Sequence, residues 1–344
     1  MKKSFSSYLK DYMMLLVLIG VIVVFAILCP IFANGRSFIA PQNLLNILGQ
    51  NAYLVILGVG ITFIMLGGGM DLSTGFLLST TGMAMALIEN SSNVFVAVVC
   101  GIILAILLSA FNGVMYSWLK VFPFVITLGT QYILNGATYL LTDGISKTIY
   151  VSTIFKNIGG MNITIGSGAL KSGVLVMIVM VILGSFILNK TYFGRNVYAL
   201  GSNPDAVALS GVSVSKMRIA IFALAGFFFG VAQIVNIGTS GGAVNQGLGI
   251  GAEFTVMAGA MLGGVKMGGG GGKMSNMVIG VLIIGVLDYG MNFLNVNQYW
   301  KYVVLGVVLL AAVTMDALQT RAAANAAKKV TGSAPAEKKE ETKA

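Results

Sequence analysis

Apolar runs of about 20 residues recur along most of this chain, and that is the length a helix needs to cross a hydrocarbon layer about 30 Å thick. Inside a bilayer the backbone finds no water to bond, so a spanning segment is either a helix or a strand of a closed barrel. Runs this long indicate helices. The 344 residues are 57% hydrophobic and 9% charged, against roughly 25% charged in a soluble domain. Length alone would suggest about two soluble domains, but the runs override it. The fold class expected is an all-α polytopic membrane protein.

Ten spans are expected: Met13 to Phe32, Ala52 to Leu66, Leu72 to Ile88, Val94 to Leu119, Phe122 to Leu141, Leu170 to Asn189, Met217 to Ile237, Ala252 to Val265, Met277 to Leu294 and Tyr302 to Met315. They divide the chain into a cytoplasmic N-terminus (1–12), a transmembrane domain (13–318) and a disordered cytoplasmic tail (319–344), Ala- and Lys-rich. The longest outer loop is 142–171, where a small hairpin is expected, and the longest inner loop is 190–216.

A net charge of +10 could mean nucleic acid, so the placement of the basic residues decides. With the N-terminus inside, Arg36, Lys147, Lys156, Lys171 and Lys301 fall outside, and the other sixteen of the 21 Lys and Arg residues fall inside. That is the positive-inside bias, which reports orientation and a lipid surround rather than nucleic acid. Cys29 and Cys100 lie within apolar runs and there is no histidine, so neither a metal site nor a disulfide is expected. Leu28 before Cys29 and Pro30 after it argue against lipoprotein processing. The first run exceeds a signal-peptide core of about 7 to 15 residues, so an uncleaved helix is expected.

Two of the short spans begin at glycine runs followed by an acid: Gly67-Gly68-Gly69 before Asp71, and Gly247 to Gly251 before Glu253. Broken or partly inserted helices are expected there. They enter from opposite sides, which is what an inverted-topology repeat would give. Asp71, with Gly69 and Ser73 beside it, suits a helix start, where a carboxylate meets the positive end of the dipole and free amides.

In the fifth span Thr127, Gln131, Asn135, Thr138 and Thr142 recur at steps of four, four, three and four, a polar stripe on one helical face. It reads either as helix-to-helix bonding or as the wall of a water-filled translocation path. Asp288 lies within the ninth span, where a carboxylate costs about 2.5 to 3.5 kcal/mol at bilayer centre. It should therefore face a cavity or a partner, with Asn292 on its face, or else mark a polar helix end.

Gly268 to Gly272 followed by Lys273 invites a phosphate-loop reading. It fails, because Met267 holds the leading glycine position and Met274 replaces the magnesium-binding Ser or Thr. No catalytic residue is assigned: paired carboxylates and an activated cysteine are both missing. An ion-coupled secondary transporter of a small polar solute is the alternative reading, resting on Asp71, Glu253 and Asp288.

Between two apolar runs lies Thr191 to Lys216, polar and turn-rich. Its Asp205 to Leu209 stretch reads as a short helix capped by Ser202-Asn203-Pro204. Short ordered helices in such loops usually face a partner.

Gly69-Met70-Asp71-Leu72-Ser73-Thr74-Gly75, Phe124 to Gly129, Gly194 to Asn203 and Leu209-Ser210-Gly211-Val212 together resemble the membrane permeases of ribose- and autoinducer-type ABC sugar importers, of the branched-chain-type, binding-protein-dependent permease family. The resemblance runs from about Tyr12 to Leu318, through Leu262-Gly263-Gly264 and Tyr299-Trp300. It implies a ten-helix permease of the bacterial cell membrane with both termini cytoplasmic, working beside a second permease subunit. Two ABC ATPase subunits would carry ATP and magnesium inside, and an extracytoplasmic sugar-binding protein would deliver substrate outside. The family's ATPase-coupling segment matches Arg195 to Gly211, including Gly201, Ser202, Asn203, Asp205 and Ala206. Val207, where the family usually has alanine, departs from the pattern.

Overall fold

The computed structural model describes residues 5–332 apart from 34, 92, 150–152 and 167. Helices dominate: α1 (Phe5–Phe32), α2 (Pro41–Leu66), α3 (Thr74–Ser91), α4 (Val94–Leu119), α5 (Pro123–Thr142), a single turn α6 (Thr153–Phe155), α7 (Gly173–Lys190), α8 (Tyr192–Ser202), α9 (Pro204–Leu209), α10 (Val214–Thr239), α11 (Ala252–Leu262), α12 (Met274–Phe293) and α13 (Gln298–Gly332). Strand β1 (Lys147–Thr148) pairs antiparallel with β4 (Ala243–Val244), and β2 (Asn162–Ile165) with β3 (Gly168–Lys171). The second pair is the hairpin expected in the loop 142–171.

Among the described residues seven helices, α1, α2, α4, α7, α10, α12 and α13, have the length and apolarity to cross a membrane. The other three expected spans fall short for separate reasons. Helix α11 has 11 residues, about 16 Å at 1.5 Å per residue, roughly half of the hydrocarbon layer. Helices α3 and α5 have 18 and 20 residues but carry Ser, Thr, Asn and Gly where a lipid-facing helix would carry leucine.

The core is built on α2 and α10, whose apolar windows are 78% and 67% buried. Glycines let them approach: a Cβ on Gly60 would stand 2.6 Å from the Phe229 ring. Phe63 and Phe228 stack between them with centroids 6.1 Å apart. Around this pair α4 packs on α10, α7 and α12 pack on α2, and α1 packs on α12. Helix α3 is enclosed by α4, α5, α10 and α11, and its residues from Thr74 to Met83 are buried without interruption.

Helix α2 begins eleven residues before Ala52. Its first turn, with Pro41 preset for a helix start, looked too polar to span. Those polar residues hold the hairpin: Gln42 Oε1 accepts from Ala169 N at 2.7 Å. Tyr289 donates to Asn43 Oδ1 at 3.0 Å, so the start of α2, the hairpin and the end of α12 form one end of the molecule. Helix α1 already starts at Phe5, within the segment assigned to the N-terminal extension. Helix α13 continues to Gly332, into the Ala- and Lys-rich tail, because alanines favour helix after the apolar pattern stops. Residues 333–344 of that tail lie outside the described residues.

Candidate functional site

The segment 190–216 folds as two helices rather than one. Thr191 Oγ1 caps α8 by accepting from Gly194 N at 3.2 Å, and Val197 and Leu200 are buried on its inner face. Asn203 Oδ1 accepts from Ala206 N at 3.0 Å to cap α9, with Pro204 in its first turn. Val207 is the buried side chain of α9, so the departure from the family pattern packs into the core. Gly211, at φ +84°, ends the helix in the left-handed region that glycine favours. Arg195, Ser202, Asn203, Asp205 and Ala206 face outward, and Leu209 is 90% exposed.

Beneath these helices lie two glycine loops. A Cβ on Gly201 would overlap both Leu66 O and Gly270 N. Gly270 N donates to Leu66 O at 2.9 Å, tying the α2–α3 turn to the α11–α12 loop under the segment. Tyr198 donates to Gly272 O at 2.9 Å, and burial pushes its phenol above the ordinary tyrosine value, which keeps it a donor. Gly269, Gly270 and Gly272 all have positive φ. The five-glycine run is therefore a packing surface for the segment.

The α3 break is knitted by side chains. Asp71 Oδ1 accepts from Ser73 N at 2.9 Å and Ser73 Oγ at 2.6 Å, just before the first residue of α3. Asn112 Nδ2 donates to Ser73 Oγ at 2.8 Å, and Thr130 Oγ1 donates to Asn112 Oδ1 at 2.7 Å. The chain thus links the α3 start to α4 and α5. Gly69 closes the preceding turn through Gly69 N to Ile64 O at 2.8 Å. Asn112 and Thr130 were not singled out from sequence, although a lone amide inside the apolar run of α4 is the signal that could have found Asn112.

The α11 break meets the α3 start. Residues 245–251 run alongside α3, where Gly249 N donates to Ser79 Oγ at 3.1 Å. Glu253 Oε1 accepts from Gly251 N at 3.3 Å, and a Cβ on Gly75 would overlap Glu253 Oε2. Asp71 Oδ2 and Glu253 Oε2 are buried without a hydrogen-bond partner.

The α5 stripe divides by chemistry. Thr127 Oγ1 accepts from Leu72 N at 3.2 Å, Thr138 bonds Thr80 at 2.7 Å, and Thr142 Oγ1 accepts from Gln246 Nε2 at 3.0 Å. These threonines bind α5 to its neighbours. Gln131 and Asn135 are half-buried, and Gln131 Oε1 has no partner. On α12, Asp288 pairs with Lys301 at 3.1 Å. Asn292 bridges the two, donating to Asp288 Oδ2 at 3.1 Å and accepting from Lys301. The carboxylate near the helix end thus has its partner. Helix α5 packs on α3 and α4, whereas α12 packs on α1, α2, α7, α11 and α13, so stripe and ion pair belong to different parts of the molecule.

No solved structure matches the chain. Relatives match nearly end to end. The galactose/methyl galactoside import permease protein of Escherichia coli K12 is 32% identical over 336 residues, 92% of this chain and 97% of its own length. The ribose import permease protein of the same strain is 33% identical over 303 residues, 87% of this chain and 92% of its own. Its D-allose transport system permease protein is 31% identical over 304 residues, 87% and 91%. A family model described as branched-chain amino acid transport system, permease component, matches residues 43–313. With well over half of its length inside that model, the chain belongs to this family of membrane permease components.

Proposed function

We propose that this chain is the permease of an ATP-driven, binding-protein-dependent sugar importer. The near full-length match to permeases of galactose, ribose and allose import carries the reading. In it, all ten expected segments including α3, α5 and the half-length α11 build the membrane domain, as an inverted repeat with both termini cytoplasmic. ATP and magnesium sit on partner ATPase subunits, a second permease subunit completes the membrane unit, and an extracytoplasmic protein delivers sugar.

The exposed face of α8 and α9 is the ATPase contact. ATP closing two partner subunits does work on the permease only through a rigid contact. The segment supplies one, because Gly201 admits no slack against Leu66 and Gly270. Motion of α8 and α9 then reaches both glycine loops together. Replacing exposed Ala206 by a bulky residue, Ala206→Trp, is expected to abolish sugar uptake while membrane insertion stays intact. Normal coupling of ATP hydrolysis to uptake in that variant would overturn the contact.

Gln131 and Asn135 line the water-filled route, with the threonines as its scaffold. Cysteines in their places are expected to react with water-soluble thiol reagents, unlike one at Leu140, 84% exposed on the apolar face. Equal protection at all three would make the stripe structural only.

A further inference from the structure

At the hairpin end, α2, α11, α12 and α13 line an open pocket of about 260 Å³. Its polar lining comes from Asn51, Tyr53, Thr255, Asp288, Gln298 and Lys301. Asn51 is 6% exposed; its amide Nδ2 donates to Ile47 O at 2.8 Å, and Gly285 is bare because a Cβ there would overlap that amide. The rest of the wall is apolar, from α12 and α13, with the Tyr302 ring among it.

The geometry points to this cavity as a monosaccharide site of the permease, an inference that rests on the sugar-import reading. A cation would meet Lys301, and an anion would meet Asp288. A neutral polyol satisfies both, since each hydroxyl can donate to the carboxylate or accept from the ammonium. Asp288, Lys301 and Asn292 already bond one another, and a polyol adds bonds at the lone pairs and protons they leave over. Aromatic and aliphatic walls suit the C–H face of a sugar ring, and a volume just under the roughly 300 Å³ where drug-sized pockets begin fits one ring rather than two.

The cavity is also wired to the coupling segment. Gly251, Ala252 and Thr255 of its wall are the first residues of α11 or lie directly before it. The other end of α11 runs into the glycine loop on which Gly201 sits. A displacement of α9 therefore reaches the site through one half-length helix. Weak binding suits this place, because a transported solute must leave again.

The test is alkylation of Thr255→Cys, in a chain carrying Cys29→Ala and Cys100→Ala, within the assembled importer in membrane vesicles. The rate with a small water-soluble thiol reagent is measured with and without D-galactose, D-ribose or D-allose. The transported sugar is expected to slow labelling about tenfold at ten times its Kd. Asp288→Asn with Lys301→Gln is expected to remove that protection. If Thr255→Cys abolishes uptake, Val304→Cys on the facing wall serves for the same measurement. Unchanged labelling with a sugar that the vesicles demonstrably take up overturns the site and leaves the transport reading standing. Protection by phospholipid but by no sugar makes it a lipid crevice and also overturns it. Vesicles that take up none of the three with ATP overturn the sugar-import reading itself.

Discussion

Helices α3 and α11 begin alike, with glycines and then an acid, yet they are held by opposite means. The α3 start is fixed by directional bonds running from Asp71 through Ser73 and Asn112 to Thr130. Side chains of α11 make only local bonds, Glu253 to Gly251 N and Thr255 to Gly251 O. What holds α11 is close glycine contact: a Cβ on Gly259 would stand 2.8 Å from Val281, and one on Gly280 would overlap Gly259 O. A hydrogen-bond chain across three helices sets the register of α3, whereas close backbone packing at these glycines sets that of α11. Directional bonds therefore anchor α3, and close packing anchors α11.

The sharpest way to break this comparison is to wedge the two starts apart. Gly75→Val places side-chain atoms where Glu253 and Gly249 already stand, and overpacking of this kind costs about 1 to 3 kcal/mol. Loss of both stable, monodisperse protein and uptake is expected. Next comes Asn112→Ala, which leaves Ser73 and Thr130 without their shared partner in a buried place, a cost of about 1 to 3 kcal/mol. A clear fall in melting temperature is expected, and an unchanged one would remove α3 from its anchoring role. Smallest is Glu253→Gln on α11, which keeps an acceptor for Gly251 N. A smaller loss of stability than that of Asn112→Ala is expected in denaturation, and a loss matching it would erase the asymmetry.

Much of this was legible in the chain. The apolar run Val94 to Leu119 has the bounds of α4, and the Asn203-Pro204 cap places α9 because capping is local chemistry. The two glycine runs were visible as well, and each precedes a helix start, α3 at Thr74 and α11 at Ala252. What escaped the sequence depends on distant neighbours. Helix α8 looks turn-rich through Gly194, Asn196 and Gly201, and it is helical because Val197 and Leu200 find the core. The purpose of the five glycines at Gly268 became clear only with Gly201 resting on them. Likewise the stripe on α5 gives position but not partners, so bonded threonines and unbonded amides look the same until α3 is in place.

The measurement that bears most directly on the whole account is uptake of radiolabelled galactose, ribose and allose into vesicles carrying the assembled importer. Accumulation is expected to require ATP and its hydrolysis, and to persist when ionophores collapse every ion gradient. Accumulation that fails with the gradients and is indifferent to ATP would contradict it and restore the ion-coupled transporter.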